Sequence, residues 1–160
     1  YQNLLILLFS TPLLMAALYH GAPMGLTDLI AAALMLLFLV TETIADNQQY
    51  RFQTVKRNPS ENEKPYVESL RKGFLTEGLW RYVRHPNFAS EQAIWISFYL
   101  FSVAASGKWI NFTLLGPVLL VILFIGSSIM TENISSSKYP EYSTYQKEVP
   151  KFIPRIFRRK

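Results

Sequence analysis

Four long apolar blocks without a charged residue constrain this chain more than anything else in it. They cover Asn3–Tyr19, Leu29–Thr41, Ala93–Ser106 and Ile110–Thr131. A helix that crosses the hydrocarbon core of a bilayer needs about 20 apolar residues and tolerates about 17. The fourth block meets that requirement outright, and the other three complete a crossing with their polar flanks. The competing reading is a soluble protein with buried helices. Four uncharged blocks in 160 residues, of which half are apolar and 17% charged, argue against it. A cleaved leader is a poor reading of the first block, because no basic residue precedes it. The expected fold class is therefore all-α, a multi-pass transmembrane bundle with about four spans and an interfacial C-terminal tail.

Charge placement sets the expected topology. Of 16 Lys and Arg residues, eight lie between Arg51 and Arg84 and seven between Lys138 and Lys160; only Lys108 lies elsewhere. The positive-inside bias places a loop at 46–86 and a tail at 132–160 on the cytoplasmic face of an integral membrane protein. The turn from His20 to Asp28 and the Lys108 hairpin then face outward. The net charge of +5 needs no nucleic-acid partner, since basic residues that flank spans meet anionic lipid headgroups. Absence of Cys excludes disulfides, thiolate catalysis and Cys-ligated metals. Within the loop, Lys56–Pro65 reads as a proline-bounded polar linker, and Tyr66–Leu75 as a short interfacial helix.

Three constellations carry chemistry. At the end of the second block, Glu42 and Asp46 stand four apart on one helical face, with Arg51 and Gln53 about two turns on. Like charges at that spacing ask for a cation or for several donors, unless the helix end is simply solvated. The second is GLWRYVRHPNFASE, residues 78–91. Pro86 suits the first turn of a helix, whose unpaired N–H groups favour an anion beside Arg84 and His85. Asn87 and Glu91 share one face, with Trp95 a turn further. Arg81 reads equally well as an interfacial anchor. No metal site is expected at His85, because His20 falls on the opposite membrane face. The third is Glu132, open to a contact with Arg84, to a ribose hydroxyl, or to ending its helix. Tyr142 and Tyr145 follow it and suit either stacking on a flat ring or anchoring at the interface.

These residues carry a resemblance. GLWRYVRHPNFASE, the two apolar segments after it, and Glu132 ahead of YPEYSTYQKEVPKFIP resemble the C-terminal half of the steroid 5-alpha-reductase superfamily. The likeness is closest to its bacterial branch with an RHPNY-type motif. That superfamily is similar in turn to isoprenylcysteine carboxyl methyltransferases and phospholipid methyltransferases, which share an RHP-x-Y-type motif and the late glutamate. On the reductase likeness Glu42, Asp46 and Arg51 match an acidic or amide residue, an aspartate and an arginine that reach a nicotinamide nucleotide. Tyr82, Asn87 and Glu91 match the tyrosine, asparagine and glutamate of its second motif. The resemblance implies a bacterial inner-membrane location. The chain starts at Tyr1 rather than Met, and it reads as the C-terminal part of a longer family fold. Phe88 stands where tyrosine is usual, so a hydroxyl role is lost there. The late arginine–histidine cluster of steroid reductases and their upstream Gln-Glu and Tyr residues have no counterparts here. The proton donor is therefore unassigned.

The expected activity is NADPH-dependent reduction of a carbon–carbon double bond in a steroid-like or other lipid. Arg51, Arg84 and His85 supply charge for phosphates. Glu42, Asp46, Tyr82, Asn87, Glu91, Glu132, Tyr142 and Tyr145 supply hydrogen bonds and stacking. The alternative is an S-adenosylmethionine-dependent methyltransferase, whose cofactor has no phosphate and makes less demand on the basic cluster. A non-enzymatic membrane protein on the same scaffold is the third reading.

Overall fold

A computed structural model describes residues 2–19, 21, 23–58 and 65–155. His20, residues 59–64 at the centre of the expected linker, and the last five residues of the tail lie outside them. Six α-helices carry the described chain: α1 Gln2–Leu18, α2 Leu26–Arg57, α3 Val67–Lys72, α4 Pro86–Ser106, α5 Leu115–Lys138 and α6 Tyr142–Glu148. Short 3₁₀ turns lie at Gly78–Arg81 and Phe112–Leu114, and no strand occurs among the described residues.

Two helices are long and apolar enough to cross a membrane, Leu26–Arg57 and the continuous stretch Phe112–Lys138. Only 11% and 28% of their most apolar windows are buried. Apolar faces exposed to this extent are compatible with a membrane protein. Exposed Leu29, Ile30, Leu36 and Leu37 on α2, and Ile122, Ile125 and Ile129 on α5, form those faces. The helix Asn3–Leu18 is apolar but shorter.

The chain divides into two compact units, Tyr1–Val40 with Ser90–Gly126, and Thr41–Ala89 with Ser127–Lys160. In the first, Gly116 lets α5 meet α1: a Cβ there would lie 2.5 Å from the Leu8 carbonyl oxygen. Phe9 packs on Trp95 with ring centres 5.5 Å apart. Asn111 caps the 3₁₀ turn before α5, its side chain accepting from the Thr113 N–H. The second unit is different in kind. Its core is aromatic, with Phe74, Tyr142, Tyr145 and Val149 buried together and Tyr139 against them.

Two boundaries differ from the sequence reading. Helix α2 runs on to Arg57, so Lys56 and Arg57, expected to open the polar linker, sit in its last turn. The cause is periodicity: Asp46, Gln49, Gln53 and Lys56 recur at steps of three and four, a polar helical stripe. Glu132 does not end its helix either, since α5 continues to Lys138.

Candidate functional site

The second unit contains a cavity of about 360 Å³, within the ordinary size range of small-molecule sites. Its walls come from the polar half of α2, the segment Gly73–Phe88, the end of α5 and helix α6.

One wall rests on a buried ionic cluster. Arg84 and His85 immediately precede α4, and their N–H groups donate to the carbonyls of Pro150 and Lys151 at 2.9 and 3.1 Å. The Arg84 guanidinium then turns inward. Its Nε donates to Glu132 Oε1 at 2.8 Å and Nη2 to Oε2 at 3.3 Å. Its Nη1 donates to the carbonyls of Gln146 and Val149 at 2.7 and 2.6 Å. His85 Nε2 lies 2.9 Å from Glu132 Oε1. The carboxylate only accepts, so Nε2 carries the proton. Gln146 and Lys151 complete the set around Oε2 at 3.2 and 3.4 Å. Arg84, His85 and Glu132 are 9%, 4% and 5% exposed. Burial holds the His85 imidazole below its ordinary pKa of 6.5 against the opposing pull of Glu132. It is a neutral ring, stacked on Phe88 at 5.4 Å.

Another part of the lining carries unpaired acceptors. Asn87 Nδ2 donates to Asp46 Oδ1 at 3.0 Å. That carboxylate can only accept, which fixes the amide and leaves Asn87 Oδ1 facing away from it. Asn87 Oδ1 and Gln49 Oε1 are both buried without a hydrogen-bond partner, and both residues line the cavity. Buried acceptors in this state cost free energy, and a donor-bearing ligand relieves it. Trp80 stands beside them, its indole N–H donating to the Ala45 carbonyl at 3.4 Å. The turn that presents it needs Gly78, which has φ +62° and would drive a Cβ to 2.5 Å from the Gln48 amide. Gln48 in turn accepts from the Leu79 N–H at 2.9 Å.

The floor is aromatic. Phe74 meets Tyr142, Tyr145 and Tyr139 at ring separations of 4.9, 5.3 and 5.7 Å. Tyr145 Oη donates to the Trp80 carbonyl at 2.5 Å. Burial pushes the Tyr142 phenol up to about 12 and the Tyr145 phenol higher. Tyr139 is the opposite case. Lys56 Nζ donates to its hydroxyl at 2.9 Å and to the Gly73 carbonyl at 2.5 Å. That ammonium lowers the Tyr139 pKa.

Of the residues singled out in the sequence, Arg84, His85, Asn87, Tyr142 and Tyr145 line the cavity. Glu132 and Asp46 bond to lining residues. Tyr82 is 62% exposed and Arg51 is exposed on α2; neither lines it. Glu42 is half-buried one turn before Asp46. Glu91 belongs to the first unit, where it accepts from the Trp95 indole at 2.9 Å. Gln49, Lys56, Gly73, Trp80 and Tyr139 were not singled out. The polar stripe of α2 is the signal that would have found Gln49 and Lys56.

An all-helical protein with two helices able to cross a membrane and a polar, aromatic cavity is the class that these features define. The chain belongs to the family described as "Protein of unknown function (DUF1295)", which matches residues 1–149. It is also 38% identical over 163 residues to an uncharacterized protein of Schizosaccharomyces pombe, covering 98% of this chain. The chain spans about half (47%) of that relative's length. No solved structure matches it.

Proposed function

We propose that this chain forms the nucleotide-binding part of a membrane-embedded NADPH-dependent reductase acting on a carbon–carbon double bond of a lipid. The observation that carries the reading is the pair of buried, unpartnered oxygens of Gln49 and Asn87 on the cavity wall. With Trp80 and Phe88 beside them, they suit a flat ring bearing an N–H donor, such as the carboxamide of a nicotinamide. When bound, that cofactor supplies hydride. The chain's own residues orient it. Asn87, fixed by Asp46, and Gln49 accept from its amide; Lys138 at the rim supplies charge for phosphates; Arg84 and Glu132 brace the wall. In this reading Arg84 serves the wall rather than the phosphates, supported by the four hydrogen bonds it makes within the protein.

Glu132 also bears on the choice of cofactor. A sulfonium favours a nearby carboxylate, yet Arg84, His85, Gln146 and Lys151 already crowd this one. That supports NADPH over S-adenosylmethionine. Positive charge flanking the apolar helices supports four spans, with 46–86 and 132–160 on the cytoplasmic side, where nicotinamide nucleotides are kept; in a bacterium this is the inner membrane. The test is thermal unfolding of the detergent-solubilised protein with each nucleotide. NADPH at 100 times its dissociation constant should stabilise by about 2.7 kcal/mol. Protection by S-adenosylmethionine alone would transfer the reading to a methyltransferase, and protection by neither to a non-enzymatic scaffold.

A further inference from the structure

Reduction of a double bond consumes a hydride at one carbon and a proton at its neighbour, so a reductase needs an acid close to its cofactor. Three phenols and one imidazole line the cavity. His85 is unsuited, because its Nε2 proton is engaged with Glu132 and its ring is buried and neutral. Tyr145 spends its proton on the Trp80 carbonyl, and burial disfavours the phenolate at both Tyr145 and Tyr142, outweighing the pull of Arg84.

Tyr139 differs in every respect. An ammonium only donates, so Tyr139 Oη accepts from Lys56 Nζ and keeps its own proton for donation. Lys56 is held in place by the Gly73 carbonyl and stands 4.9 Å from the Tyr139 ring centre. The charged groups that face this phenol are Lys56 from α2 and Lys138 from α5, whose Nζ is 5.5 Å from the ring centre. Both are cations, and both favour the phenolate. Gly73 makes the seat: its φ is +86°, and a Cβ there would lie 2.5 Å from the Tyr139 ring.

We propose that Tyr139 is the catalytic acid of the reduction, with Lys56 as the positioning cation that stabilises its phenolate. The inference rests on the reductase reading above. In the step, the Tyr139 O–H bond breaks and a C–H bond forms at the alkene carbon next to the one that receives hydride. The π-electron pair closes that bond. The phenolate is left beside the Lys56 ammonium until water returns a proton.

The first measurement needs no cofactor. Ultraviolet titration of tyrosinate in the solubilised protein should contain one phenol ionising below the ordinary tyrosine range. Tyr139→Phe should remove it and Lys56→Met should move it upward, while Lys56→Arg keeps it low. A titration curve unchanged by both Tyr139→Phe and Lys56→Met overturns the assignment. The second measurement follows NADPH oxidation with total membrane lipid of the source organism as substrate pool. Tyr139→Phe should lower turnover by about 10²–10⁴-fold, as loss of a general acid does, with NADPH protection against unfolding unchanged. Protection intact with wild-type turnover in Tyr139→Phe overturns this inference alone. Absence of NADPH protection in the wild type overturns the reductase reading and this inference together.

Discussion

The two units of this chain differ in how far along the sequence their polar contacts reach. In the first, several hydroxyls return to their own helix: Ser10 to the Leu7 carbonyl, Thr11 to Leu8, Ser97 to Ala93 and Ser106 to Ser102. Such bonds span three or four residues and make no demand on the rest of the fold, which suits a helix whose outer face meets hydrocarbon. Thr113 and Tyr99 reach only 11 and 10 residues, to Ser102 and the Trp109 carbonyl. In the second unit the bonds join residues far apart in sequence. Asn87 meets Asp46 across 41 residues, Arg84 meets Glu132 across 48, and Lys56 meets Tyr139 across 83. One unit is a scaffold whose polar contacts stay close in sequence. The other is held by long-range polar contacts that need every partner present.

That contrast predicts very unequal responses to mutation. The largest is expected at Glu132→Ala, which strands Arg84 in a buried site and should destabilise by about 3–5 kcal/mol. Thermal unfolding in detergent measures it; an unchanged midpoint would mean that the cluster is structurally idle. Next comes Gly73→Ala, which puts a side chain at φ +86° and displaces the Tyr139 ring. Left-handed backbone alone costs about 1–2 kcal/mol, and the low-pKa phenol should vanish from the titration curve with it. A normal curve would show that Gly73 does not set the seat of Tyr139.

A smaller effect is tied to pH. His85 has a lowered pKa in the folded state, so the unfolded chain binds its proton more readily. Its contribution to stability is fully present above 6.5 and is lost as pH falls from 6.5 through the folded value. His85→Gln should flatten the stability profile in that window. The smallest effect is expected in the first unit: Ser97→Ala removes only a bond to its own helix and should stay within about 0.5 kcal/mol. A loss comparable to that at Glu132 would erase the distinction between the units.

The sequence made the apolar helices and the polar stretch around Arg84–Asn87 legible, because hydropathy blocks and dense charge are local signals. The last turn of α2 was hidden by composition: Arg51 and Gln53 read as helical, but Lys56 reads as linker until the step from Asp46 through Gln49 and Gln53 to Lys56 is noticed. Tyr139 was passed over beside Tyr142 and Tyr145. Lys138 next to Tyr139 is the one local signal that separates it from the other two; the larger difference comes from an ammonium 83 residues away. The partners that Arg84 takes, Glu132 and the Gln146 and Val149 carbonyls, are all remote in sequence, and of them the sequence offered only Glu132, as one alternative among three.

The central claim is that the cavity beneath Gln49 and Asn87 holds a nicotinamide nucleotide, and the dissociation constant of NADPH in Gln49→Leu tests it most directly. Removing an acceptor that is buried and unpaired in the free protein should raise its stability by about 1 kcal/mol. The same change should weaken NADPH binding by about tenfold, equivalent to about 1.4 kcal/mol. Stability gained and affinity lost together is the predicted result. Affinity unchanged in Gln49→Leu would contradict the account.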